Sequence, residues 1–132
     1  MPVLLGIDAG TRRTGVAFAD TKAGFVMALD TIRHKTPEEL VTRITELAKA
    51  KRASEIIIGL PRLPQGEEGK QAGLVRDLVE LLKKSLELPV TLIDERYSTH
   101  GTSPGTDPDA KAACDMLSVV LDQRKKTIDN TP

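Results

Sequence analysis

The chain of 132 residues has one cysteine, no tryptophan and few other aromatics: Phe18, Phe25 and Tyr97. A lone cysteine, Cys114, excludes an intrachain disulfide and fits a reducing compartment. With so few rings the core has to be aliphatic, and a binder that stacks successive bases on aromatic platforms is disfavoured. An excess of charge of either sign is also missing, since 19 Lys and Arg balance 19 Asp and Glu. This counts against a broadly basic nucleic-acid binder but leaves room for a local basic patch. No apolar run approaches the roughly 20 residues of a membrane span. The start, Met1-Pro2-Val3-Leu4-Leu5, lacks the basic opening and long apolar run of a signal peptide. The expectation is a cytoplasmic protein with no membrane association, built as a single domain over residues 1–126 with a polar tail at 127–132.

What is present is a regular alternation of apolar runs and turns. Val3–Ile7, Gly15–Ala19 and Phe25 to about Arg33 read as three strands joined by short turns, hence an antiparallel meander. Thr36 as N-cap, Pro37 at the first helical position and Glu39 as the capping-box acid open a helix to about Arg52. Glu55–Leu60 is β-branched and apolar enough for a central strand. A Pro- and Gly-containing loop follows, then a helix from Gln71 to Leu86 with Leu74, Val75, Leu78, Leu81 and Leu82 on one face. Val90–Ile93 is the fifth strand and runs into Asp94-Glu95-Arg96. Tyr97 to Thr106 is turn-rich, and Asp107-Pro108-Asp109 opens a last helix with Ala113, Met116, Leu117, Val120 and Leu121 inward. The predicted class is α/β: a five-stranded mixed sheet, elements in the order β-β-β-α-β-α-β-α, helices on both faces.

Three carboxylates stand where strand and helix ends can meet. Asp8 closes an apolar strand, where a charge is costly unless solvated or used. Asp94 and Glu95 close another; side chains alternate along a strand, so only one of them shares a side with Asp8, and periodicity does not say which. Asp109 lies in the first turn of the last helix on the inward stripe, although an acid there also serves the helix dipole. Asp115 is off that stripe, and Asp107 is better used as the cap. Acids converging on a pair of cations about 4 Å apart are what two-metal phosphodiester hydrolysis requires. Hard Mg2+ or Mn2+ ions prefer such oxygen ligands.

Four motifs carry a resemblance. Gly6-Ile7-Asp8-Ala9-Gly10-Thr11-Arg12-Arg13-Thr14-Gly15, Ile58-Gly59-Leu60-Pro61 through Gly69-Lys70-Gln71-Ala72, Asp94-Glu95-Arg96-Tyr97-Ser98-Thr99, and Asp109-Ala110-Lys111-Ala112-Ala113 onward resemble, in order, the motifs of the YqgF/RuvX family. The resemblance runs from about residue 3 to 123. It implies an RNase H-like fold, whose element order is the one read above. It also implies a metal-dependent nuclease with Asp8, Glu95 and Asp109 as catalytic acids and metal ligands, Glu95 being chosen over Asp94. A two-metal Mg2+ or Mn2+ site would have Asp8 bridging the ions. The family is associated with maturation of the 5′ end of 16S rRNA and, by similarity to RuvC resolvases, with Holliday junctions. The implied partners are therefore pre-rRNA or branched DNA, and symmetric cutting of a junction would favour a homodimer. One departure stands out: His100 to Pro108 leaves no room for the further helix that relatives usually carry before the last aspartate.

Around the acids, Arg12, Arg13, Arg62, Lys70 and Arg96 are candidate substrate-binding cations, each with surface or a structural ion pair as the plain alternative. The Pro61–Lys70 loop is a candidate cover for substrate. His100 has no motif partner, and Cys114 reads as a small buried residue. Two other functions compete. Asp8-Ala9-Gly10-Thr11 resembles the first phosphate loop of actin-like kinases, but such proteins need two such domains. A non-catalytic ribosome-assembly or nucleic-acid-binding factor on the same fold is the other alternative.

Overall fold

A computed structural model of the chain describes residues 2–63, 65–95 and 108–129, with the backbone alone at Glu95, Pro108 and 125–129. β1 (Val3–Asp8), β2 (Arg13–Asp20) and β3 (Phe25–Ala28) make the expected antiparallel meander. β4 (Ile32–Arg33), α1 (Pro37–Lys51), β5 (Glu55–Pro61), α2 (Lys70–Ser85), β6 (Val90–Glu95) and α3 (Pro108–Asp129) follow. The continuous third strand expected up to Arg33 is broken. Ala17 pairs with Ala28, but Thr14 pairs with Ile32, so one strand spends a residue more than the other over the same stretch. The surplus forms a bulge around 29–31, and the sheet gains a sixth strand beyond the five expected.

The sheet order is β3-β2-β1-β5-β6, with β4 added on β2. β5 lies parallel to both β1 and β6. Its Ile56, Ile57 and Ile58 are all fully buried, so the strand has to be covered on both faces. The alternation of strand side chains divides them between two cores. Ile56 and Ile58 join Leu5 and Ile7 beneath α1 and α2, which contribute Leu40, Ile44, Val75 and Leu82. Ile57 joins Leu4, Ala17 and Ala19 beneath α3, which contributes Ala113, Met116, Leu117 and Val120. Truncating a buried aliphatic such as Ile57 to alanine costs about 2–5 kcal/mol.

The helix ends follow their sequence signals with small shifts. Thr36 Oγ1 accepts from Glu39 N at 3.1 Å, while the Glu39 carboxylate accepts from Lys35 N at 3.2 Å, one residue before the cap. Arg52 is not helical: it caps α1 in the left-handed region at φ 54°. On α2 the buried stripe is Ala72, Val75, Leu78, Val79 and Leu82; Leu74, expected inward, is 45% exposed and lies to one side of it. α3 continues to Asp129, past the expected start of the tail. Among the described residues no helix is long and apolar enough to cross a membrane. Because β1, β5 and β6 run parallel, their C-terminal ends lie along one edge of the sheet.

Candidate active site

Asp8 ends β1 at that edge, half-buried, and its register partner across the ladder is Gly15 of β2. The start of α3 rests on that glycine. A Cβ at Gly15 would collide with the backbone carbonyl of Asp109, so only glycine lets the helix come this close. Asp8 and Asp109, 101 positions apart in the chain, are thereby made neighbours. Arg13, which opens β2, donates from Nε at 3.0 Å and from its terminal nitrogen at 2.8 Å, both to Oδ2 of Asp109. Asp109 also sits in the first turn of α3, where the helix dipole favours an acid.

Register orders the third acid. Gly6, Ile57 and Thr91 lie level, as do Gly59 and Ile93, and Pro61 and Glu95. Asp8 stands two residues beyond Gly6, on the parity of Leu4, whose core lies beneath α3; Ile93 packs against that same core. Glu95 stands two residues beyond Ile93, at the register parity of Asp8. Asp94 has the other parity, that of Leu92, which packs on the α1 and α2 side. Its carboxylate accepts from Arg62 Nε at 3.0 Å.

The turn from Ala9 to Arg12 joins β1 to β2 and is tied down from outside. Gln71 Nε2, one residue into α2, donates to the Ala9 carbonyl at 2.7 Å. Gly10 N donates to Thr14 Oγ1 at 3.4 Å, and the Arg12 carbonyl accepts from His34 N at 3.0 Å. Sequence reasoning gave Gln71 no role. Its place in the Gly69-Lys70-Gln71-Ala72 motif was the available signal.

The candidate cations fall into groups. Arg12 is exposed on the turn, and Lys70 is exposed at the first position of α2. Arg13 and Arg62 are in ion pairs, as their plain alternative anticipated. Arg62 bridges Asp94 and Glu68, the latter at 3.4 Å, and Glu68 is in turn held by Arg76 at 2.6 Å. The Arg76 guanidinium holds the Glu68 carboxyl below the usual carboxylate range. The loop after β5 is therefore clasped to the end of β6 by a charge network. Arg96 and His100 lie outside the described residues, as does the shortened segment before Pro108. Cys114 is half-buried, and burial raises its thiol pKa, which disfavours the thiolate a nucleophile needs.

The donor chemistry at this edge is carboxylate oxygen, the type hard divalent cations select. Among the described residues no group of three or more His, Cys, Asp or Glu could hold a metal ion. Two of the three acids, Asp8 and Asp109, are described in full, one paired with Gly15 and the other with its backbone against that glycine; the third, Glu95, is described in its backbone. The fit to a cation thus rests on donor type and on the Asp8–Asp109 juxtaposition.

A family model described as "RuvX: Holliday junction resolvase" matches residues 2–130. Proteins named "Putative pre-16S rRNA nuclease" are similar to the chain. The one from Synechococcus elongatus is 34% identical over 92% of this chain and 90% of its own length. That from Nitratidesulfovibrio vulgaris is 35% identical over 91% and 84%. The one from Chloroflexus aurantiacus is 35% identical over 74% of this chain, a match spanning only 63% of that relative. Among solved structures, Thermus thermophilus RuvC in complex with a Holliday junction superposes with a TM-score of 0.70 over 96% of this chain and 98% of that one, at 14% identity. The large terminase nuclease of phage G20c gives 0.52 over 95% and 55%, at 15% identity. These likenesses establish the RNase H-like fold.

Proposed function

The chain belongs to the RuvX family of Holliday junction resolvases, and on that premise we propose that it is a divalent-metal-dependent nuclease acting on the 5′ end of pre-16S rRNA, on branched DNA, or on both. The observation that supports this reading is that Gly15, the register partner of Asp8, lies against the backbone of Asp109 at the edge where β1, β5 and β6 end.

Asp8, Glu95 and Asp109 would hold the Mg2+ or Mn2+ ions of a two-metal site. When bound, such ions activate water and stabilise the charge that develops on a cleaved phosphodiester. The chain's own residues have separate tasks. Gly15 lets the start of α3 press Asp109 towards Asp8. Arg13 fixes the Asp109 carboxylate through two donors and keeps the acids from repelling each other. Gln71 and Thr14 hold the turn that follows Asp8. Arg12, exposed on the turn, and Lys70, exposed at the start of α2, would meet the phosphate backbone. Arg62 would reach phosphate by exchanging its carboxylate partners for it, and Arg96 would supply a further phosphate contact. A homodimer would present two such edges to a four-way junction, and the setting would be the cytoplasm.

The test is cleavage of labelled pre-16S 5′ leader and of a four-way DNA junction with Mg2+ or Mn2+, by wild type and Asp8→Asn. The proposal expects wild type to cut at least one substrate, and chelator or D8N to abolish cutting. Equal cutting by both proteins overturns it. Binding without cutting by both would favour an assembly factor instead.

A further inference from the structure

His34 follows β4 and is 6% exposed, one of the few buried polar side chains. It grips the β1–β2 turn twice. Its backbone N–H donates to the Arg12 carbonyl at 3.0 Å, and its Nε2 lies 2.7 Å from Thr14 Oγ1. Thr14, itself fully buried, accepts from Gly10 N. The chain of contacts runs from His34 through Thr14 to Gly10, two residues after Asp8.

On one side the turn borders open space, so hydrogen bonds rather than close packing hold it there. Ala9, Gly10 and Thr11 border a cavity of about 190 Å³, together with His34, Leu40 and Gln71. A hydroxyl that accepts the Gly10 N–H has its own proton to give, and a neutral imidazole Nε2 can take it. Burial supports the neutral ring, lowering the imidazole pKa from 6.5 against the opposing pull of Glu39. Nδ1 is buried with no hydrogen-bond partner among the described residues. A buried polar atom left unsatisfied is costly. A phenyl ring would pack here without that cost, so packing alone does not explain a histidine.

We infer that His34 is a positioning residue: through Thr14 it sets the Gly10 turn and so the placing of Asp8 against Asp109. What the turn serves rests on the metal-nuclease reading; the grip on the turn does not.

The experiment compares wild type, His34→Phe, His34→Gln and Thr14→Val. It reads amide hydrogen exchange at Gly10 by NMR, Mn2+ affinity by calorimetry, and kcat and KM for cleavage. Phe removes the acceptor, Gln restores one at nearly the same reach, and T14V breaks the same link if H34F does not fold. The expected result is Gly10 exchange about tenfold faster in H34F and T14V, with H34Q close to wild type. Mn2+ binding should weaken about tenfold in H34F and T14V and recover in H34Q. The kcat should fall with KM little changed. Unchanged Gly10 exchange in H34F or T14V overturns the inference, as does faster exchange with unchanged Mn2+ affinity. Faster Gly10 exchange in a protein whose wild type binds no Mn2+ upholds the grip on the turn and overturns the metal reading instead.

Discussion

Helix α3 is pinned to the sheet at both ends by an arginine–carboxylate pair, and the two pins are built differently. At its far end Arg124 donates from both terminal nitrogens to both oxygens of Glu55, at 2.9 and 2.8 Å, and Thr91 adds a third bond at 2.7 Å. At its start the two Arg13 contacts converge on a single oxygen of Asp109, beside Asp8. Both pins agree with the helix dipole, acid at the N-terminal end and base towards the C-terminal end. The contrast is in what surrounds the carboxylate. Glu55 has both oxygens engaged and an acidity strengthened by Arg124, as expected of a staple between helix and strand. Asp109, bonded by Arg13, stands at the edge where three parallel strands stop, its backbone against the glycine that pairs with Asp8.

Substitutions should separate the two ends, and the largest effect is expected at the acids. Asp8→Asn and Asp109→Asn should lower the cleavage rate about a hundredfold or more, with a loss of stability of no more than about 1 kcal/mol where D109N breaks the Arg13 pair. Glu55→Gln should leave the rate within about twofold, since no reacting group lies at that end. Gly15→Ala comes next. Its added Cβ meets the Asp109 carbonyl, so α3 must shift, with a cost of about 1–3 kcal/mol by denaturant titration. Activity should fall further than that loss of stability explains. Arg124→Ala should cost about 1 kcal/mol with activity retained, because its pair is partly exposed.

The smallest effects are in pH dependence, and the two ends should titrate in separate windows. His34 near the turn has a folded pKa below 6.5, so the unfolded chain takes up protons first. Stability should fall as pH drops through 6.5 towards that lower folded value, and the slope should vanish in His34→Phe. Glu55 is also depressed, from 4.5, chiefly by its bond to Arg124. Its contribution is complete above 4.5 and is lost as pH falls through the folded value, so E55Q should flatten only the acid limb. Midpoints measured against pH for the two variants check both windows.

Much of this architecture was legible because the strands are short apolar runs and the helices carry their own caps. Thr36-Pro37, the triple isoleucine of β5 and the inward stripe of α3 each announced their element. The split third strand was not legible, because a bulge depends on how β2 and its partner count residues against each other. The parity of Asp94 and Glu95 was hidden for the same reason. It follows from the β5–β6 register, which periodicity within one strand does not contain. The ion pairs of Arg13 and Arg62 join residues 96 and 32 positions apart, and no local pattern encodes such pairs.

The most direct test is Mn2+ titration by calorimetry of wild type, D8N, D109N and E55Q, without nucleic acid. Binding is expected in wild type and E55Q, with affinity at least about tenfold weaker in D8N and D109N. Equal affinity in all four proteins, or none in wild type, would contradict the claim that these two acids are gathered to share cations.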